Sequence, residues 1–358
     1  MVQRQATRRT ATLASLAAEL GVSRTTVSNA YNRPDQLSSQ LRTRVLEAAK
    51  RLGYPGPDPL ARSLRTRRAG AIGLLLTETL SYAFRDPAAV QFLEGLAQEC
   101  EDARMGLLLV PAVPGSGTDP ALAGGAAVDG FIVYSLPHGD PHLDAVLARP
   151  IPTVIVDEPL GVTMADFVGI DDRASAASVG RHLAQLGHTR VGIVCSRTGP
   201  ERRDGPVSLE RQRMAPYDVV RLRVDGLVGA LGVDRADVPV WECWEHTPRA
   251  GERIAQQLLD AHPELTAVAC TTDILAFGAL RAAAARAVDV PGALSVTGFD
   301  DVPEAEVAGL TTVAQPHAEK GRAAWRLFSR PDRDTTGPVR ECIPTRLVVR
   351  SSSAAVSS

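Results

Sequence analysis

Leu13, Leu16, Ala17 and Leu20 recur at the spacing of one helix face, which predicts a short amphipathic helix near the start of the chain. Gly21 follows where a tight turn needs a positive φ, and Ser23 is a good N-cap for a second helix. In that helix, "SRTTVSNAY", Val27 and Tyr31 are the inward candidates. Arg24, Thr25, Thr26, Ser28 and Asn29 are left for the outward and N-terminal face. Two short helices across a glycine turn, the second presenting hydrogen-bonding side chains near its start, form the helix-turn-helix pattern. After the turn "NRPDQL", Ser38 caps a third helix with Leu41, Val45, Ala48, Ala49 and Leu52 on its apolar face and Gly53 at its C-terminal cap. "YPGPDP" forbids a continuing helix. "LARSLRTRRAG" then offers one or two helical turns, too few to hold alone in water, and reads as a hinge that orders only when something holds it.

From Ala71 the pattern changes. "AIGLLL", "GLLLVP", "GFIVYS", "PTVIVD", "RVGIVC", "TAVACT" and "LSVTGF" are short, nearly continuous apolar runs, as strands buried on both faces require. Helical patterns lie between most of them, at 88–103, 174–186, 250–261 and 274–284. This alternation predicts an α/β body with parallel sheets, long enough for two lobes with a ligand cleft near the carboxyl ends of the strands. "SRTGPERRDGPVSLERQRMAP" is expected to be a mobile loop, and "SSSAAVSS" a frayed tail. The resulting division is a headpiece at 1–56, a hinge and linker at 57–69, a two-lobed ligand-binding and dimerisation body at 70–350, and a disordered tail at 351–358.

Charge sharpens this division. Up to Gly70 there are 13 Arg and Lys against 4 Asp and Glu, a net +9, while the remainder carries 26 against 37, a net −11. A basic head on an acidic body suits a protein whose head alone meets a polyanion. No apolar run approaches the roughly 18 residues of a membrane span, and the spaced leucines of the first twenty residues do not make the apolar core of a signal peptide. The five cysteines (Cys100, Cys195, Cys243, Cys270, Cys342) lack CxxC spacing, which fits a reducing cytoplasm and a role as small buried hydrophobes. Neither a metal nor another cofactor is expected. Catalysis finds no footing: GxSxG, P-loop and GxGxxG patterns are missing, and the adjacent pairs Asp171-Asp172 and Asp300-Asp301 diverge in extended backbone.

On these motifs the chain resembles the LacI/GalR family of bacterial transcriptional regulators. The head "TLASLAAELGVSRTTVSNAYNRPDQLSSQLRTRVLEAAKRLGY" is similar to its DNA-binding headpiece and "ARSL" to its hinge helix. "HLAQLGHTRVGIV", "TTDILAFGAL", "SVTGFDDVPEA", "LTTVAQP" and "PTRLVVR" resemble successive signatures of its effector domain, in family order. The resemblance implies an all-α helix-turn-helix headpiece followed by a two-lobed body of the periplasmic-binding-protein type. It also implies a homodimer on a roughly palindromic double-stranded DNA operator, probed by a small effector such as a sugar or nucleoside, with no membrane partner.

The resemblance also assigns residues. Arg24 and Thr25 match positions that read base edges, and an arginine there can donate a bidentate pair to guanine. Asn29, also placed among the base readers, departs from the arginine many relatives carry. Ser23, Thr26 and Ser28 are expected on phosphate or base. In the hinge, Leu64 matches a leucine that wedges into the minor groove, with Ala61 beside it. In the body, Arg223 and Asp273 match ligand-contacting positions, an arginine fork and a carboxylate suited to hydroxyl-rich ligands. Asp273 also sits ahead of a helix and could serve as its N-cap. Trp244 falls near a stacking position but could equally be core, and Phe84 and Asp86 are expected to open onto the cleft. Two rival readings share the α/β body: a transport solute receptor, which the basic head opposes, and a sugar-modifying enzyme.

Overall fold

A computed structural model of the chain describes residues 11–56, 68–113, 117 and 119–356. It divides into two compact units, Met1–Ala69 and Gly70–Ser358. In the first unit Thr12 caps α1 (Leu13–Leu20) through a reciprocal pair of bonds with Ser15, and Gly21 ends it at φ 64°. Ser23 caps α2 (Arg24–Asn32) by accepting from the Thr26 N–H at 3.0 Å. A short 3-10 turn, Pro34–Gln36, leads to α3 (Ser39–Leu52), capped by Ser38 and closed by Gly53. Leu16, Val27 and Val45 are fully buried where the three helices meet. Each contributes roughly 1.5–3 kcal/mol by leaving water, which is what a unit this small must rely on.

The second unit has two lobes. In the first, β1 (Ala71–Leu76), β2 (Gly106–Pro111), β3 (Phe131–Tyr134), β4 (Thr153–Val156) and β5 (Asp166–Gly169) form a parallel sheet. The connections carry α4 (Leu80–Ala83), α5 (Pro87–Asp102), α6 (Ala121–Gly125) and α7 (Pro141–Leu147). The chain then passes through α8 (Asp172–Gln185) into the second lobe. There β6 (Val191–Ser196), β7 (Gly205–Pro206), β8 (Val240–Cys243), β9 (Ala267–Cys270) and β10 (Ser295–Thr297) alternate with α9 (Leu209–Met214), α10 (Asp218–Leu231), α11 (Pro248–Ala261) and α12 (Asp273–Ala285). The strand order is β10-β9-β6-β8-β7, parallel except for β7.

After α13 (Pro303–Val307) and β11 (Thr312–Ala314), α14 (His317–Ser329) crosses back to pack on α5. A short turn, α15 (Arg333–Thr336), precedes β12 (Arg340–Cys342), which joins the edge of the first sheet and gives the order β12-β5-β4-β3-β1-β2. A third crossing brings β13 (Arg346–Val348) antiparallel to β11 in the second lobe. Separate apolar clusters cover the two faces of each sheet.

Where α8 meets α10, two glycines allow the backbones to touch. A Cβ on Gly226 would stand 2.2 Å from the Arg173 carbonyl oxygen, and one on Gly180 would stand 2.5 Å from that of Leu227.

Several sequence expectations are corrected. Residues 351–356 are not a loose tail: the Ser352 hydroxyl accepts from the Thr311 N–H at 2.8 Å, its carbonyl accepts from Val296, and the Ala354 carbonyl accepts from His188. Serine and alanine side chains are small enough to let this segment lie against β10 and β11. Nor is 196–216 an open loop, since it contains β7 and α9 and is pinned by the Arg211 guanidinium on the fully buried Glu242, 2.8 Å away. Among the cysteines, Cys100, Cys195, Cys243 and Cys270 are buried but Cys342, on the edge strand β12, is exposed.

Candidate functional site

The lobes enclose a cavity at the carboxyl ends of the parallel strands, with about 170 Å³ open to the centres of water molecules. Its wall is built from the residues that follow the apolar runs: Glu78 after β1, Ser135 after β3, Asp157 and Glu158 after β4, Arg197 after β6, Trp244 after β8 and Asp300 after β10. Each parallel strand delivers its next residue to the same side of the sheet, so polar residues distant in sequence converge here.

The floor is a buried ionic network. Lys320, 1% exposed, donates to both Asp157 oxygens at 2.8 and 3.0 Å and to the Gln315 side-chain oxygen Oε1 at 2.9 Å. The Gln315 amide donates to Asp300 Oδ1 at 2.6 Å. Arg223 donates to Asp172 at 2.8 Å and to the Thr271 carbonyl at 2.8 Å, lies 3.6 Å from Asp300, and stacks 3.9 Å above the Phe299 ring. Burial pushes the Asp300 carboxyl well above the usual range despite Arg223, and raises Asp172 likewise. Removing one partner from such a pair would strand the other charge away from water, at roughly 3–5 kcal/mol.

Bonds across the cavity join the lobes. Glu78 pairs with Arg197, and the Tyr82 hydroxyl meets His246 Nδ1, whose Nε2 lies 2.7 Å from the Thr272 hydroxyl. Arg197 also lies over the rings of Trp244 and Tyr217. Deeper in, the Val219 N–H donates to Glu158 at 3.0 Å, and burial raises that carboxyl to about 8. His138 and Asp218 meet at 2.6 Å beside the Leu160 N–H, which donates to the same carboxylate. His138 and His142 have the spacing of a helical metal pair but diverge, His142 bonding to Asp140 instead. Among the described residues no group of three metal-ligating side chains gathers.

In the other unit, Arg24 and Thr25 are exposed in the first turn of α2. The Ser23 and Thr26 hydroxyls bond to each other at 2.8 Å. The Asn29 amide reaches Gln36 at 3.2 Å, and Ser28 accepts from Asn32 at 3.1 Å. Arg24 and Thr25 thus project from the helix start, while the next polar side chains are held by their neighbours. Ala61 and Leu64, assigned to the hinge, lie outside the described residues.

Comparison with known proteins decides what this combination is. Residues 12–56 match the model for bacterial regulatory proteins of the lacI family, and 181–353 match a periplasmic binding protein-like domain. An HTH-type transcriptional regulator of Mycobacterium tuberculosis is 51% identical over 350 residues, spanning 95% of this chain and 96% of its own. The chain belongs to the LacI family. A LacI-family regulator from Corynebacterium glutamicum of known structure is 40% identical with a TM-score of 0.73, covering 96% of this chain and 98% of its own. The structure of a CelR–cellobiose complex is 29% identical, with a TM-score of 0.67 and coverage of 96% and 99%. LacI-family proteins of this kind are transcriptional regulators, not enzymes, and the binding-protein-like body implies control by a small molecule.

Within this LacI-family body, Arg223, Trp244 and Asp86 line the cavity. Asp86 also caps α5, and it accepts from the Tyr82 hydroxyl at 3.2 Å. Asp273 and Phe84 are not in the wall. Asp273 is fully buried and turned into the second lobe, where it accepts from the Thr312 hydroxyl at 2.6 Å and the Val302 N–H at 3.0 Å. The N-cap of α12 is its neighbour Thr272, which does reach the cavity. Phe84 ends α4 with 61% of its surface exposed. Lys320, Asp157, Gln315 and His317 escaped sequence reading. The signal for Asp157 was its place directly after the run "PTVIV"; that for Lys320 was a lone charge on the apolar face of "HAEKGRAAWRLF".

Proposed function

We propose that this regulator is a repressor that binds a roughly palindromic operator as a homodimer and releases or tightens its hold when a small, hydroxyl-rich molecule fills the cleft. The observation that carries the reading is the cavity wall itself, contributed by both lobes and tied across by Glu78–Arg197 and Tyr82–His246. A ligand there contacts both lobes at once, so it favours one lobe spacing over another by its differential affinity, typically 1–3 kcal/mol in such couplings. Arg24, Thr25 and Asn29 read bases, and Ser23, Thr26 and Ser28 contact the backbone or base edges. Arg223, Trp244 and Asp86 contact the effector. A sugar is favoured over a nucleoside by the cellobiose bound to the CelR relative. Ala61 and Leu64 act at the minor groove, and the protein works where its DNA is, in the cytoplasm.

The test is fluorescence anisotropy of the full chain on DNA from the intergenic region beside its gene, against a scrambled duplex, with and without a panel of sugars. Specific binding that at least one sugar shifts is expected, together with raised expression of a neighbouring gene when the regulator is deleted. Equal binding to the scrambled duplex would remove the reading.

A further inference from the structure

His317 stands out in the cavity wall because both of its ring nitrogens are left without a bonded partner. It opens α14, just after the chain returns to the first lobe, and it is 3% exposed. It lines the cavity, yet neither ring nitrogen has a partner in good hydrogen-bond geometry; the Asp300 backbone carbonyl lies near enough only to favour the ring's proton weakly. The Asp300 carboxylate oxygen, 3.9 Å from Nε2, is out of bonding range and already accepts from Gln315. Burial, with Lys320 and Arg223 nearby, holds the ring's pKa well below its ordinary value, so the imidazole is neutral and offers one donor and one acceptor. Buried polar atoms left without partners are rare, and in a cavity wall such atoms are completed by what enters.

The charges of the wall narrow what can enter. Arg197 is paired with Glu78, Arg223 with Asp172 and Lys320 with Asp157. Asp86 adds a further carboxylate. An anion would therefore lose its water without finding a cation that lacks a carboxylate partner.

We propose that His317 is a specificity-determining contact in the cleft, its two ring nitrogens pairing with hydroxyls of an uncharged polyhydroxylated effector, and that phosphorylated ligands are refused. This rests on the reading of the cleft as the effector site, and deepens it.

The test is calorimetry on the full chain without DNA, using ribose, glucose, cellobiose and mannitol, each beside its phosphate ester. At least one neutral compound should bind, and its ester should bind about tenfold more weakly or worse. H317F keeps a flat ring but removes both nitrogens, and should weaken the neutral ligand about tenfold or more. H317N restores a donor and an acceptor, and should recover much of that loss. Tryptophan fluorescence unfolding reports whether each variant is folded; should H317F not fold, a folded H317N within about tenfold of the unmutated affinity is the supporting outcome, and a larger loss the opposing one. If no neutral compound binds, the polyol reading of the cleft falls and this inference with it. If one binds but H317F matches the unmutated protein, or H317N is no better than H317F, the role of the nitrogens is overturned while the cleft reading stands. An ester that binds as tightly as its parent overturns the exclusion of anions.

Discussion

Replacing Asp273 by alanine is expected to loosen the second lobe rather than silence a ligand contact. The change removes the one carboxylate that accepts from both the Thr312 hydroxyl and the Val302 N–H, at a position with no exposure. Each stranded donor costs roughly 1–3 kcal/mol. Part of that is offset, because burial raises the carboxyl to about 6 from its ordinary value of 3.8. A folded-state pKa above the unfolded one means that the folded form holds its proton more tightly. The associated stability is complete below the unfolded value and is lost as pH rises through about 6, amounting to about 3 kcal/mol by pH 7. The two donors together cost about 2–6 kcal/mol, so the net change for D273A at pH 7 should lie between about a 1 kcal/mol gain and a 3 kcal/mol loss. D273N separates the two contributions. Its amide oxygen can accept from Val302 and its amide N–H can donate to Thr312, with no ionisation to suppress. It should match or exceed the unmutated stability at pH 7, and its advantage should shrink by about 1 kcal/mol on going to pH 5. Urea unfolding followed by tryptophan fluorescence reports this directly, since Trp241, Trp244 and Trp325 all lie in the body. A D273A protein as stable as the unmutated one, but with weakened effector binding, would refute the argument.

Three further outcomes are expected. Arg24→Ala should lose roughly 1–3 kcal/mol on the preferred operator and relax preference at one base pair per half-site, as judged by anisotropy on single-substitution duplexes; an equal loss on random DNA would count against base reading. Glu158, raised by burial to about 8 from 4.5, contributes stability that is full below the lower value and disappears as pH rises through the higher. E158Q should therefore flatten the fall in urea midpoint between pH 6 and pH 9, a difference on the order of 2 kcal/mol, and parallel pH profiles would contradict it. Gly226→Ala must force α8 and α10 apart to clear the Arg173 carbonyl, at a cost of about 1–3 kcal/mol, visible as a lower melting temperature.

The elements that could be read from the sequence are those whose signal is local. Thr12 aside, the caps Ser23, Ser38, Gly21 and Gly53 were legible because a cap acts on the next three or four residues. The long apolar runs became strands because nothing but a doubly covered sheet can bury them. Short strands such as β5, β7 and β12 carry too few residues for a pattern, and each depends on a partner far along the chain. The cleft was half visible for the same reason. Arg223 and Trp244 stand out by residue type and by resemblance, whereas the Lys320–Asp157 pair joins residues 163 positions apart. Asp273 misled because neighbouring residues at a helix start point in different directions: Thr272 faces the cavity and Asp273 faces the lobe interior. The serine-rich end misled because low complexity says nothing of partners, while its ordering comes from bonds to Val296 in β10, to Gly309 and Thr311 ahead of β11, and to Leu186.

The three crossings between the lobes set the order in which the body can be made. The helical headpiece has all its buried residues in hand once residue 52 has been synthesised. The body has no such early stopping point. Its first sheet waits for β12 at 340–342, and the second lobe waits for β13 and for the bonds of 352–354. A nascent chain that has reached Ser329 therefore lacks the β12 edge strand of the first sheet and the β13 partner of β11 in the second lobe. The body is completed only once translation has passed residue 354, and until then the uncovered edge of β5 and the unpartnered β11 are strand edges open to chaperones and to aggregation.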